Sequence, residues 1–273
     1  MTKQKLTNFT LSITCLIVGL IIMFPVIYAT SLSFMDSSEI TQYPPKLISS
    51  SPTLDNYKEA FETVPLMRFM TNSLVMSVGI TVGQIITASL AAFAFVFFEF
   101  RFKKILFLMV LSTMMIPGEV TIISNFLTIS SWGWNDTLHV LIIPFMTSAM
   151  GIFLIRQYYL TVPKELLEAA RIDGCTNFKF FIKILLPIST PVIASLSIYS
   201  FIGAWNQYLW PLLTINDTAN RTVQIGITML QSESASKAVI LAGSIIISIP
   251  TIIAFVIGQR LLVEGMTSGA VKG

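Results

Sequence analysis

The sequence predicts an all-α membrane protein with six transmembrane helices and both termini on the cytoplasmic side. Three observations predict it. Of the 273 residues, 54% are hydrophobic and only 11% are charged, with a mean hydropathy of +0.77. A soluble domain carries about 25% charged residues, so this chain cannot cover a water-facing surface, and nucleic-acid-binding and disordered classes are excluded with the soluble ones. Six stretches are apolar enough and long enough to cross a bilayer, which takes about 20 residues of helix. The Lys and Arg residues are also divided unevenly between the two sides that those stretches define.

The first span covers residues 11–31. Lys3 and Lys5 precede it, and Tyr28-Ala29-Thr30-Ser31 resembles a cleavage site. Its apolar run exceeds the 7–15 residues of a signal peptide, so it is an uncleaved helix. The segment that follows holds Pro44, Pro45, Pro52 and Pro65, and residues 54–61 read as a short amphipathic helix. The second span covers 69–98. The third, 105–129, is interrupted by Pro117-Gly118-Glu119. The fourth covers 138–155. The fifth, 184–210, is broken near its start by Pro187 and Pro191, and the sixth covers 238–258.

Orientation follows from Lys and Arg. Six spans put both termini on one side, with Lys3, Lys5, Arg101, Lys103, Lys104, Arg156, Lys164, Arg171, Lys179, Lys183, Arg260 and Lys272, 12 of the 17. The other 5 are Lys46, Lys58, Arg68, Arg221 and Lys237. The termini are therefore cytoplasmic, and the loops around Trp132–Asn135 and Pro211–Ser236 are external.

Little in the chain suggests covalent chemistry. Cys15 and Cys175 lie far apart and His139 is the one histidine, so there is no disulfide framework and no metal-ligand set. No Gly-x4-Gly-Lys-Ser/Thr phosphate loop occurs. Nucleotide chemistry must then belong to another chain, and no cofactor is expected.

The loop between spans four and five carries the strongest signal. Pro163 and Gly174 bracket a helix of about ten residues, with Thr161 available as its cap and Gly174 suited to the left-handed residue that ends it. Leu166, Leu167, Ala170 and Ile172 offer an apolar side; Glu165, Glu168 and Arg171 offer a charged one. A second helical stretch, 177–185, follows at once. Two short helices joined at a glycine make a knob that can dock a soluble partner or merely link two spans at the interface.

Within it, Glu168-Ala169-Ala170, three residues, Gly174, nine residues, and Ile184-Leu185-Leu186-Pro187 resemble at every fixed position the EAA loop of bacterial ABC importer permeases. The six-span plan and the C-terminal residues 265–273 are similar to the maltose-type permeases of the carbohydrate-uptake group. The run Trp205-Asn206-Gln207-Tyr208-Leu209-Trp210-Pro211 is similar to the smaller permease of sn-glycerol-3-phosphate importers, as is Asn72-Ser73-Leu74-Val75-Met76. The resemblance implies the type I importer permease fold in a bacterial inner membrane, a sugar or sugar-like polyol as solute, and no covalent catalysis by this chain. It implies as partners a cytoplasmic ATPase dimer, a second homologous permease and an external solute-binding protein, with no nucleic acid. Glu168, Ala169, Ala170 and Gly174 become the coupling residues that meet the ATPase, with Thr267–Gly273 as a secondary contact. The chain then divides into residues 1–68, a permease core 69–260 containing the coupling loop 156–183, and a tail 261–273.

Polar groups inside the spans are few. Glu119 follows the Pro117-Gly118 break; it either accepts from backbone donors freed there or faces external water, with a pathway role as the alternative. Trp205, Asn206, Gln207 and Tyr208 crowd the outer half of span five. Their rings can stack on sugar C–H faces and their amides can bond hydroxyls, while an interfacial aromatic belt is the competing reading. Asn72, Gln84 and Asn125 are expected to bond neighbouring helices. Two rival classes remain: an ion-coupled secondary transporter built on Glu119, and a membrane-embedded enzyme, for which no acidic or histidine cluster speaks.

Overall fold

The computed structural model describes residues 3–233 and 235–267, with side chains for 8–233 and 235–259. Among them there are helices and no strand. The order is α1 (Lys3–Ser33), α2 (Ser37–Ile40), α3 (Asp55–Thr63), α4 (Leu66–Phe97), α5 (Lys103–Thr113), α6 (Gly118–Ser131) and α7 (Leu138–Ile142). There follow α8 (Ala149–Tyr159), α9 (Glu165–Ile172), α10 (Asn177–Phe180), α11 (Leu186–Ile188), α12 (Thr190–Trp205), α13 (Leu209–Thr214), α14 (Val223–Ser232) and α15 (Lys237–Thr267).

Three helices, α1, α4 and α15, are long and apolar enough to cross a membrane alone. Three bent helix pairs are also apolar enough when each is taken as one span: α5 with α6 at 95°, α7 with α8 at 44°, and the α10–α11 stretch with α12 at 77°. Each bend sits at proline. Pro117 and Pro144 follow α5 and α7, and Pro187 and Pro191 flank the third. A proline inside a helix removes one backbone donor and clashes with the carbonyl four residues back. Before Pro187 the chain widens into a π turn, Phe181–Leu185, a local adjustment of the backbone ladder.

With each bent pair taken as one span, these helices match the six expected spans, with one correction. Span five stops at Trp205, and Leu209–Thr214 is a separate helix. Pro211 explains the break. In a continuous helix its ring would meet the carbonyl of Gln207, whereas in the first turn of α13 it is tolerated. The amphipathic segment at 54–61 is α3.

The chain forms two compact units. One comprises residues 1–67 and 226–248, so the stretch from α14 into α15 groups with the N-terminal part, a division different from the linear one expected. In it Glu39 accepts from Lys46 Nζ (3.0 Å), Ser49 Oγ (2.7 Å) and Ser50 N (3.1 Å). Asn56 Nδ2 donates to the carbonyls of Ser33 and Met35. These bonds fold residues 34–56 into ordered structure. Gly243 packs closely on Leu230 here; a Cβ would lie 2.6 Å from Leu230 Cδ1, and the leucine would have to shift.

The other unit comprises residues 68–225 and 249–273. Its central helix is α4, with 44% of its most apolar window buried. Gly79 and Gly83 leave room beside α4 for Ile142 and Met146; a Cβ on Gly83 would come within 2.6 Å of Met146 Cγ. Small residues at this spacing let helices approach closely in a membrane. Gln84 donates to the Phe145 carbonyl (2.9 Å) and accepts from Ser200 Oγ (2.6 Å), the interhelical bonding expected of it. One core lies around Phe93, Tyr159, Phe180, Leu185 and Leu196, and a second around Met76, Ile80, Val140, Leu141 and Trp210.

Candidate functional site

At the end of the second unit that holds Phe93 and Phe180, α9 and α10 form the expected knob. The first helix is α9, eight residues long, and it starts without a side-chain cap. Thr161 does not cap it: its hydroxyl donates to the Tyr158 carbonyl (2.7 Å), because Pro163 and Lys164 place the helix start three residues further on. Gly174 is left-handed at φ +74°. Its N–H donates to the Arg171 carbonyl (3.0 Å), and the Cys175 N–H reaches back to Ala170 (2.8 Å). That pair of bonds is the Schellman ending, which leaves few helix carbonyls unpaired. Thr176 then caps α10 by accepting from the Lys179 N–H, and Arg171 donates twice to Asn177 Oδ1 (3.1 and 3.2 Å) across the joint.

The apolar residues of α9 divide between two surroundings. Leu167 and Ala170 are buried in the core with Phe180 and Phe181. Leu166 is 42% exposed and Ile172 87%, alongside exposed Glu168 and Ala169. Of the four residues expected to meet a partner, Glu168, Ala169 and Gly174 face outward and Ala170 holds the helix to the bundle. The expected tail contact, Thr267–Gly273, lies outside the described residues from Ser268 onward.

The second site lies around the break between α5 and α6. A cavity of about 340 Å³ is lined by Glu119, Thr121 and Asn125 of α6, Pro144 and Phe145, and Gln207, Tyr208 and Trp210 around the start of α13. The break after α12 brings Gln207 and Tyr208 here, and the 95° bend brings Glu119. Glu119 accepts no hydrogen bond from the backbone of the break; it is exposed in the first turn of α6 and lines this cavity. Gln207 Oε1 is buried and receives no donor. No Lys, Arg or His lines the cavity.

Trp205 and Asn206 are not among its lining residues. Trp205 is 1% exposed and stacks on Phe201 with ring centroids 5.9 Å apart. The Asn206 amide donates to the Ile202 carbonyl (3.0 Å) and accepts from Gln224 (3.3 Å). They lie on the last turn of α12 and at its C-cap, before the break that redirects the chain, so contiguity in sequence did not place them together. Sequence reasoning missed Phe145 and Thr121 as lining residues, and it assigned Asn125 to helix bonding. Only the bend at Pro117 could have signalled that α6 turns this face inward.

Between α6 and α7, Asp136 joins two loops. It is left-handed at φ 60°, its N–H donates to Thr214 and its carboxylate accepts from the N–H groups of Asn216 and Asp217. Those amide donors hold its pKa below the ordinary carboxylate value, with Arg221 adding to the effect. His139 sits nearby against Trp134, with ring centroids 4.9 Å apart.

Residues 84–268 match the family described as binding-protein-dependent transport system inner membrane component. Relatives include the sn-glycerol-3-phosphate transport system permease protein UgpE of Brucella abortus, 39% identical over 97% of this chain and 98% of that protein. The proteins of the same name from Rhizobium meliloti (38%, covering 97% of each) and Escherichia coli O1:K1 (35%, covering 93% and 94%) are also similar. In fold, the chain resembles a chain of a bacterial ABC transporter involved in the import of the acidic polysaccharide alginate. The TM-score is 0.83 at 21% identity, over 95% of this chain and 98% of that one. These matches leave the ion-coupled carrier without support. The chain therefore belongs to the family of binding-protein-dependent inner membrane components, the multi-pass permease subunits of bacterial ABC importers.

Proposed function

We propose that this permease forms one half of the import pathway for a polyol of the sn-glycerol-3-phosphate class, moved by ATP hydrolysis on separate subunits. The observation that carries the solute is near full-length identity of 35–39% with permeases named for that compound. The chemistry of the cavity agrees with the polyol end of such a solute. Glu119 and the unpaired Gln207 Oε1 are acceptors suited to hydroxyl donors, and Trp210, Tyr208 and Phe145 supply faces for C–H groups. A cavity without a cation and with a carboxylate disfavours a phosphate, so the phosphate end is met by the second, homologous permease. An external binding protein delivers the solute. Two cytoplasmic ATPases meet α9 through Glu168, Ala169, Leu166 and Ile172, and both termini lie on their side.

The test is uptake of labelled sn-glycerol-3-phosphate at limiting concentration in cells lacking the endogenous chain. Restoration by this chain is expected. Gln207→Leu should lower uptake by about tenfold, the worth of one hydrogen bond to a buried group, with assembly unchanged. Asn206→Ala should leave uptake near wild type. Transport of a different sugar would overturn the solute, and normal uptake by Gln207→Leu would overturn the pathway.

A further inference from the structure

A second cavity, about 830 Å³, lies between the end of α4, the start of α5 and α8. Phe95, Phe100, Phe107 and Leu108 form its apolar walls, and Lys104 and Arg156 line it as cations. Lys103 and Glu99 also border it but bond each other (3.1 Å). Lys104 has no such partner. The Arg156 guanidinium lies 4.0 Å over the Phe107 ring, and its buried Nε–H has no acceptor. Lys103 and Lys104 occupy the first turn of α5, where the positive end of a helix disfavours cations. Folding therefore leaves an uncompensated pair of positive charges above a set of phenyl rings.

We propose that this cavity binds an anionic phospholipid, its phosphate between Arg156 and Lys104 and an acyl chain against the phenylalanines. The charge selects an anion. The apolar walls and the volume select one with a hydrocarbon tail over inorganic phosphate, and a zwitterionic headgroup would bring its own cation against Arg156 and Lys104. The α5 wall of the cavity is apolar and open to its surroundings, with Ile105 52% and Leu108 62% exposed. Basic pockets between helices on the cytoplasmic side are suited to anionic headgroups. The leaflet follows from the orientation proposed above; lipid binding itself does not depend on it.

The test is native mass spectrometry of the assembled transporter, released from nanodiscs containing equal phosphatidylglycerol and phosphatidylcholine. Wild type should retain phosphatidylglycerol in preference. The double variant Lys104→Gln, Arg156→Gln should retain about thirtyfold less of it, as removal of two surface-lipid charges implies, with retained phosphatidylcholine unchanged. Arg156→Lys, which keeps the charge, should retain the lipid. Equal retention by wild type and the double variant overturns the proposal. So does loss of lipid in Arg156→Lys, which would make the arginine a packing residue. Displacement by millimolar inorganic phosphate would make this a free-anion site, and dissociation of a protein subunit from the double variant with lipid unchanged would make it a protein contact; either overturns the lipid assignment.

Discussion

Gly174 shows how much one backbone angle can carry. A Cβ there would meet nothing within 4 Å, so space is not the constraint; φ of +74° is. A β-branched residue in that conformation costs about 1–2 kcal/mol. Gly174→Val should relieve that strain by releasing the Cys175-to-Ala170 bond and unwinding the end of α9. The expected outcome is a protein that inserts normally but loses binding-protein-stimulated ATP hydrolysis in reconstituted membranes. Unchanged stimulation would mean that the end of α9 does not transmit the signal. Glu39 offers a different residue-scale test. Its bond from Ser49, reinforced by Lys46 and the Ser50 amide, lowers its pKa from 4.5 to about 2. A depressed pKa contributes stability fully above the unfolded value, and that stability fades as pH falls toward the folded one. The protection of the Ser50 amide, exchange being taken relative to its intrinsic rate at each pH, should therefore fall as pH drops from 4.5 to 2, and Glu39→Gln should flatten that profile.

Among the elements, α9 separates packing from contact on one short helix. Leu167→Ala removes a buried side chain and should destabilise the knob by about 2–3 kcal/mol, measurable as a lower midpoint of thermal unfolding. Ile172→Asp and Glu168→Lys change exposed residues and should leave that midpoint within about 0.5 kcal/mol of wild type while lowering co-purification of the ATPase. If both surface variants retain the ATPase fully, the knob is a linker. The helix itself was legible in the sequence because Pro163 and Gly174 bracket it and Glu168-Ala169-Ala170 mark it. Its two faces were not, since Leu166 and Leu167 are chemically alike and only the tertiary position of Phe180 decides which is buried. The cavity was half legible for a related reason. Glu119, Gln207 and Tyr208 stand out as polar groups in apolar runs, but the breaks at Pro117 and Pro211 determine what they face, and bend direction is a property of packing. The cap joined by Asp136 had no signal beyond a polar loop.

For the whole molecule, six spans were legible because a bilayer demands length and apolarity of each one, and proline marks where they bend. Membrane orientation rests on the Lys and Arg distribution. Reporter fusions after Lys104 and after Ile172 should give cytoplasmic signals, and fusions at Asn135 and Ser232 external ones; a cytoplasmic signal at Asn135 would break the six-span plan. The grouping of residues 226–248 with residues 1–67 was beyond reach, because nothing in a linear sequence says that α14 and the first half of α15 return to the N-terminal part. Within that part, α1 has a distinctive condition: none of the most apolar window in its Asn8–Ser33 span is buried within this chain. Only its last turn is tied to the rest of the chain, through Ser31, whose hydroxyl donates to the Leu47 carbonyl, and Ser33, which bonds Tyr57, so the apolar stretch before it makes few shape demands on this chain's own fold. Shuffling Leu, Ile, Val and Phe among positions 16–24 should leave this chain's membrane insertion and thermal unfolding midpoint unchanged, whereas the same exchange along α4 should lower both.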